Sequence, residues 1–183
     1  MEDLVYASSP SVYGTNKEVP CSIEDKVDNL VSLYAATKKS NELMVHAYSK
    51  LYNIPATGSR FFTVYEPARR PDMLYFGFTN KLIKGEKIQI FNYGNCKSDF
   101  TVVDDIIESI KRVMQAPPQK ENSVDGLPLP PYAVYHIGNN HPENLLDFVD
   151  ILQQELIRRV CCQKIMILMH TRKWFQCNRE MYR

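Results

Sequence analysis

The order of elements in the first 62 residues limits the fold most. Leu4-Val-Tyr-Ala7 reads as a short buried strand running into a Ser-rich turn. Residues 15–31 form a polar loop with mixed charges and Pro20. The stretch Val31-Ser-Leu-Tyr-Ala-Ala-Thr-Lys-Lys39 then begins a segment that reads as helix through about Leu51, and Asn53-Ile-Pro55 ends it. Ala56–Phe62 reads as the next strand, with Arg60 polar in its middle. Strand, helix and strand in this order predict an α/β sheet. In such sheets ligands sit beyond the carboxyl ends of the strands. Ser8, Ser9 and Ser11 are therefore candidates to meet a ligand, the alternative being turn chemistry in which their hydroxyls bond nearby backbone.

The remaining chain continues the alternation. Leu74–Lys84 reads as a helix stopped by Gly85, Lys87–Phe91 as a strand, and Asn92-Tyr-Gly94 as a turn. Asp104 is expected to cap a helix from Asp105 to Met114. Residues 117–131 form a Pro-rich loop, Tyr132–Ile137 a strand, and Pro142 opens a helix through Leu156. The apolar positions Leu43, Met44, Ala47, Tyr48 and Leu51 recur at helical spacing and are expected to face the core.

A net charge of +1 over 183 residues gives no electrostatic case for nucleic acid or a membrane surface, and 44% hydrophobic residues suit one globular unit. Met1-Glu-Asp-Leu lacks the basic-then-apolar layout of a signal peptide. Ile165-Met-Ile-Leu-Met169 is far shorter than the ~18 residues of a spanning helix. Cys21, Cys96, Cys161, Cys162 and Cys177 are odd in number and lack metal-like pairing, and neither His136 nor His141 has a partner at ligand spacing. No metal site and a reducing, cytoplasmic setting are expected.

Tyr-x-x-x-Lys occurs three times, at Tyr13/Lys17, Tyr34/Lys38 and Tyr93/Lys97. The first and third fall in turn-like sequence around Gly14 and Gly94. Only the second lies on a helix that follows a Ser-rich strand end, where a separation of four stacks both side chains on one face. A fixed ammonium beside a phenol favours the phenolate. The pair can then serve as a general base toward a bound hydroxyl, with Ser9 placed to bond the same oxygen. The alternative is a surface tyrosine beside two solvated lysines.

Five blocks occur in order: Tyr6-Ala-Ser-Ser-Pro-Ser-Val-Tyr-Gly14, Ser32-Leu-Tyr-Ala-Ala-Thr-Lys38, Arg60-Phe-Phe-Thr-Val-Tyr65, Arg70-Pro-Asp-Met73 and Asp99-Phe-Thr-Val-Val-Asp-Asp105. Over residues 3–155 the chain resembles the extended short-chain dehydrogenase/reductase (NAD-dependent epimerase/dehydratase) superfamily, and within it the UDP-glucuronate 4-epimerases. The resemblance implies a partial Rossmann-like parallel sheet, its first half missing, with a small α+β substrate-binding lobe. It implies NAD as cofactor, a UDP-sugar as substrate, and C4 inversion through an NAD-bound 4-keto intermediate. Tyr34, Lys38 and Ser9 would be catalytic; Tyr34, Lys38, Ser8 and Phe62 would meet the cofactor; Ser9, Ser11, Thr63 and Arg70 would meet the sugar. The Arg70 guanidinium would suit a sugar carboxylate.

The chain departs from the family pattern at several positions. Glu66, Ala68 and Arg69 stand where the family has Gly, Trp and Gly, and Val102 where it has Tyr. Ser98 replaces an Arg that approaches the nucleotide diphosphate, a charge-assisted contact worth about 1.5–3 kcal/mol. Lys97 offers only a point charge beside it. The seven glycines include no pair at Gly-x-Gly or Gly-x-x-Gly spacing, so the pyrophosphate fingerprint is missing. Residues 1–157 are expected to be the C-terminal part of an epimerase/dehydratase domain and 158–183 a divergent basic tail. Three functions compete: an impaired epimerase; a non-catalytic protein docking on a full-length relative; and another nucleotide-sugar enzyme such as a dehydratase. A dehydratase needs an acidic pair where Pro10-Ser11 stands, which argues against the third. Self-pairing, or pairing with such a relative, is expected through the helix containing Tyr34.

Overall fold

The computed structural model describes residues 3–16, 20–66, 73–123, 125–160 and 168–170. The elements run β1 (Leu4–Ser8), a 3-10 turn (Pro10–Tyr13), α1 (Leu33–Tyr52), β2 (Ala56–Phe61), β3 (Thr63–Tyr65) and α2 (Leu74–Ile83). They continue with β4 (Gln89–Phe91), β5 (Lys97–Val102), α3 (Val103–Gln115), β6 (Tyr132–Ile137), β7 (Pro142–Asn144), α4 (Leu145–Val160) and β8 (Leu168–His170).

One sheet is fully parallel in the order β1-β2-β6. Its register places Ser8, Arg60 and His136 side by side at the carboxyl edge. A second sheet, β3-β5-β7, pairs β3 parallel and β7 antiparallel to β5, and β4 pairs with β8. The apolar core of this second unit lies under α2 and α4, where Leu82, Ile88, Ile90, Cys96, Leu145 and Val149 are buried. The α/β class and the parallel sheet agree with the reading from sequence.

Several local expectations are corrected. The cap of α3 is Val102, which makes no side-chain cap bond; Asp104 and Asp105 fall in the first turn, where they still complement the helix dipole. Pro142 opens β7, not a helix, because residues 142–144 pair with β5. Phe62 lies between β2 and β3 and not inside a strand.

The largest correction concerns α1. Ser32 caps it by accepting a hydrogen bond from Ala35 N at 3.1 Å, and Asn53, at φ 56°, ends it in the left-handed region. Its buried residues are Ala35, Glu42 and Ser49, seven apart. Leu43, Met44, Tyr48 and Leu51 face outward, each more than half exposed. The surface beneath the helix explains the inversion. Gly58 leaves room for the Tyr6 hydroxyl, which would lie 2.5 Å from any Cβ there. Tyr6 and Tyr132 share a hydrogen bond of 2.6 Å. Ser49 Oγ donates to Pro131 O at 3.3 Å. A sheet face carrying hydroxyls, carbonyls and a guanidinium needs polar partners, because an unpaired buried polar group is costly.

Candidate active site

β1 delivers Ser8 and Ser9 to the carboxyl edge of the parallel sheet. The two serines then part. Ser8 is buried, and its hydroxyl donates to Glu42 Oε1 at 2.6 Å. Ser9 caps the 3-10 turn: its Oγ accepts from Ser11 N at 3.2 Å and donates to Ser11 Oγ at 3.2 Å. At Ser9 the structure shows the turn chemistry, with the side chain itself buried at the carboxyl edge of the sheet.

Helix α1 packs against this 3-10 turn. Tyr34 is 55% exposed, so its phenol is open to a reactant. Lys38 Nζ donates to Ala7 O at 3.1 Å and stands 5.7 Å from the centroid of the Tyr34 ring. That separation falls within the range of a cation–π contact. The ammonium therefore joins the helix to the strand end and presents positive charge to the phenol. Phe62 is half-buried with its ring edge-on to His136 at 5.9 Å, and Thr63 begins β3. Arg70 lies outside the described residues.

A second polar layer lies beneath, unanticipated from sequence. Arg60 grips Glu42 in a bidentate pair, Nε to Oε1 and Nη2 to Oε2, both at 2.9 Å. Arg60 Nη1 donates to the Tyr13 hydroxyl, which also meets His136 Nε2 and donates to Ser22 O at 2.8 Å. Glu42, Arg60 and Tyr13 are all at most 3% exposed. Two signals in the sequence pointed to this layer: Glu42 sits four residues beyond Lys38 on the same helix face, and Arg60 is a charge inside a strand, which demands a partner when buried.

The electrostatics follow from this packing. Burial opposes charge on Glu42, yet the hydrogen bonds from Arg60 and Ser8 hold its carboxyl below the usual carboxylate range. Burial likewise opposes the Arg60 charge, and Glu42 overcomes it, keeping the guanidinium protonated. Burial pushes the Tyr13 phenol up to about 12 despite Arg60 beside it. Burial and the Arg60 charge together push the His136 imidazole down, so it is neutral.

Chemically, an accessible phenol beside an anchored ammonium can pass a proton to and from a bound hydroxyl. For a dinucleotide, the partly open Lys38 ammonium at a strand end has the donor chemistry that ribose hydroxyls accept. The glycine spacing offers no matching cradle for its pyrophosphate.

Comparison with known proteins bears on this geometry. The family model described as "NAD dependent epimerase/dehydratase family" matches residues 1–127. Protein CapI of Staphylococcus aureus is 51% identical over 162 residues, covering 85% of this chain and 48% of the relative. UDP-glucuronate 4-epimerase 4 of Arabidopsis thaliana is 44% identical over 158 residues, covering 84% and 36% respectively. Among solved structures, UDP-glucuronic acid 4-epimerase from Bacillus cereus in complex with NAD aligns with a TM-score of 0.74 at 27% identity, covering 93% of this chain and 50% of that one. The chain spans about half the length, or less, of the curated relatives it matches. Among the described residues, no helix is long and apolar enough to cross a membrane.

Proposed function

The chain belongs to the NAD-dependent epimerase/dehydratase family, and on that premise we propose that it carries the acid–base half of a UDP-sugar 4-epimerase acting on UDP-glucuronate. The observation that carries the reading is Lys38 Nζ held between Ala7 O and the ring of Tyr34. Tyr34 takes the proton from the sugar O4 and returns it after inversion. Lys38 stabilises the negative charge on the phenol oxygen and bonds the nicotinamide ribose. Ser9 and Ser11 hydrogen-bond the sugar hydroxyl, Thr63 faces the pyranose ring, and Phe62 packs against the nicotinamide. Ser8 supports this edge from below through Glu42. Arg70 pairs with the glucuronate carboxylate. NAD, when bound, supplies the two-electron acceptor and donor for sugar C4. A cytoplasmic setting belongs to the same reading.

A second reading is favoured by a separate observation, the outward apolar face of α1. It makes the chain a binding protein that pairs through α1, with itself or with a longer relative. The two readings part on turnover. With NAD and UDP-glucuronate, the epimerase reading predicts slow appearance of UDP-galacturonate by proton NMR. Tyr34→Phe should lose that turnover by roughly 10²–10⁴-fold while still binding the nucleotide sugar. Wild-type protein that binds sugar but yields no product leaves the binding reading standing.

A further inference from the structure

We propose that Glu42, gripped by Arg60, is a positioning residue that sets where Tyr34 and Lys38 stand against the sheet. Tyr34, Lys38 and Glu42 follow each other at intervals of four along one face of α1. The first two reach the carboxyl edge. The third reaches into the sheet, and both of its carboxylate oxygens are engaged. Oε1 accepts from Ser8 Oγ at 2.6 Å and Arg60 Nε at 2.9 Å. Oε2 accepts from Arg60 Nη2 at 2.9 Å, with Lys39 Nζ 3.7 Å away.

The partners of Glu42 are the parts that must be mutually fixed. Ser8 and Arg60 are register neighbours on β1 and β2, and His136 continues the row on β6. Arg60 passes the constraint to Tyr13, the last residue of the 3-10 turn that Ser9 caps. One carboxylate thus ties the helix bearing Tyr34 and Lys38 to the strand end and turn bearing Ser9. Above it, the bond from Lys38 to Ala7 O is partly open to water and too weak to fix the helix alone. A planar bidentate pair carries geometry that apolar packing does not: a helix on an apolar surface can slide or rotate, whereas a fork on a carboxylate admits one register. A rise of about 1.5 Å per residue places Lys38 roughly 6 Å and Tyr34 roughly 12 Å along the axis from Glu42, so a small rotation at Glu42 moves both.

The inference deepens the epimerase reading, and its test needs no turnover. 4-Fluorophenylalanine is placed at position 34 of the full chain and its single fluorine resonance recorded. The unmodified background should give one narrow line. Glu42→Gln, which keeps the shape but not the charge, should shift or split it. Ser8→Ala, which removes one hydrogen bond from the same carboxylate and endangers the fold least, should shift it less and in the same direction. Glu108→Gln, which breaks an exposed pair with Arg112 on α3, should leave it unmoved. Lines unchanged in position and width in both Glu42→Gln and Ser8→Ala, with a lowered melting temperature, would show stabilisation without positioning and overturn the inference. If Glu42→Gln does not fold, Ser8→Ala alone decides: a shifted line supports the inference and an unmoved one overturns it. A chain that never epimerises a UDP-sugar still reports the line, so failure of the function and failure of the positioning are read separately.

Discussion

Lys38 illustrates how local spacing carries a site. Its separation of four from Tyr34 was enough to place both groups together, and Nζ does stand 5.7 Å from the ring. The layer beneath is different in kind. Glu42 meets residues 18 and 34 positions away, and Tyr13 meets His136 across 123 positions, so no window along the chain contains the pair. His136 gives a prediction at this scale. Its imidazole is held neutral, below its ordinary range, first by burial and then by Arg60. As pH falls through about 6.5, the unfolded chain takes up that proton before the folded one does. The stabilisation is complete above that pH and is lost as pH falls toward the folded value. Urea midpoints should therefore decline from pH 8 to 5, and His136→Gln should flatten the decline. Glu42, a depressed carboxyl, adds a second loss only below about pH 4.3. Gly138 gives another prediction. A Cβ there would lie 2.6 Å from Asp99 Oδ2 and 2.8 Å from the Phe62 ring. Asp99 is buried, and its Oδ2 already accepts from Asn140 N at 2.9 Å. Gly138→Ala should cost on the order of 1–3 kcal/mol in chemical denaturation, through overpacking.

At the scale of elements, α1 was legible as a helix and illegible in orientation. Its ends were written locally, in Ser32 and in Asn53 before Pro55. Ser32→Ala should lower stability by about 1 kcal/mol, read from the thermal midpoint. Its apolar stripe was read as core because periodicity reports that two faces differ, not which one is docked. The docked face turned out to carry Ala35, Glu42 and Ser49 because the sheet below is polar. The exposed stripe is the basis for the proposed pairing through α1. Leu43→Glu with Leu51→Glu should convert a dimer to a monomer in sedimentation experiments, with unchanged helix content. A monomeric wild type would remove that proposal. β5 is not marked as a strand in the sequence because Lys97, Ser98 and Asp99 open it with polar residues of low strand preference, although Asp99 and Thr101 are both buried. The same strand captures residues 142–144, which is why α4 starts at Leu145.

For the whole molecule, alternating strands and helices were sufficient to imply a parallel sheet, and the order β1-β2-β6 is that sheet. The division between this sheet and the β3-β5-β7 unit was not written in composition; it follows from β3 leaving the line of β2 at Phe62 and pairing with β5. The carboxyl edge of the first sheet then anchors Lys38 at Ala7 O with the Tyr34 ring beside it, and the Glu42–Arg60 pair is buried beneath. The proposed function needs Lys38 to hold the dinucleotide there while Tyr34 moves the proton. Calorimetric titration of the chain with NAD up to millimolar concentration tests this most directly. The account predicts saturable binding, weakened at least about tenfold by Lys38→Ala, the loss of one charge-assisted contact, and little altered by Tyr34→Phe. No binding at millimolar NAD, or binding indifferent to Lys38→Ala, would contradict it.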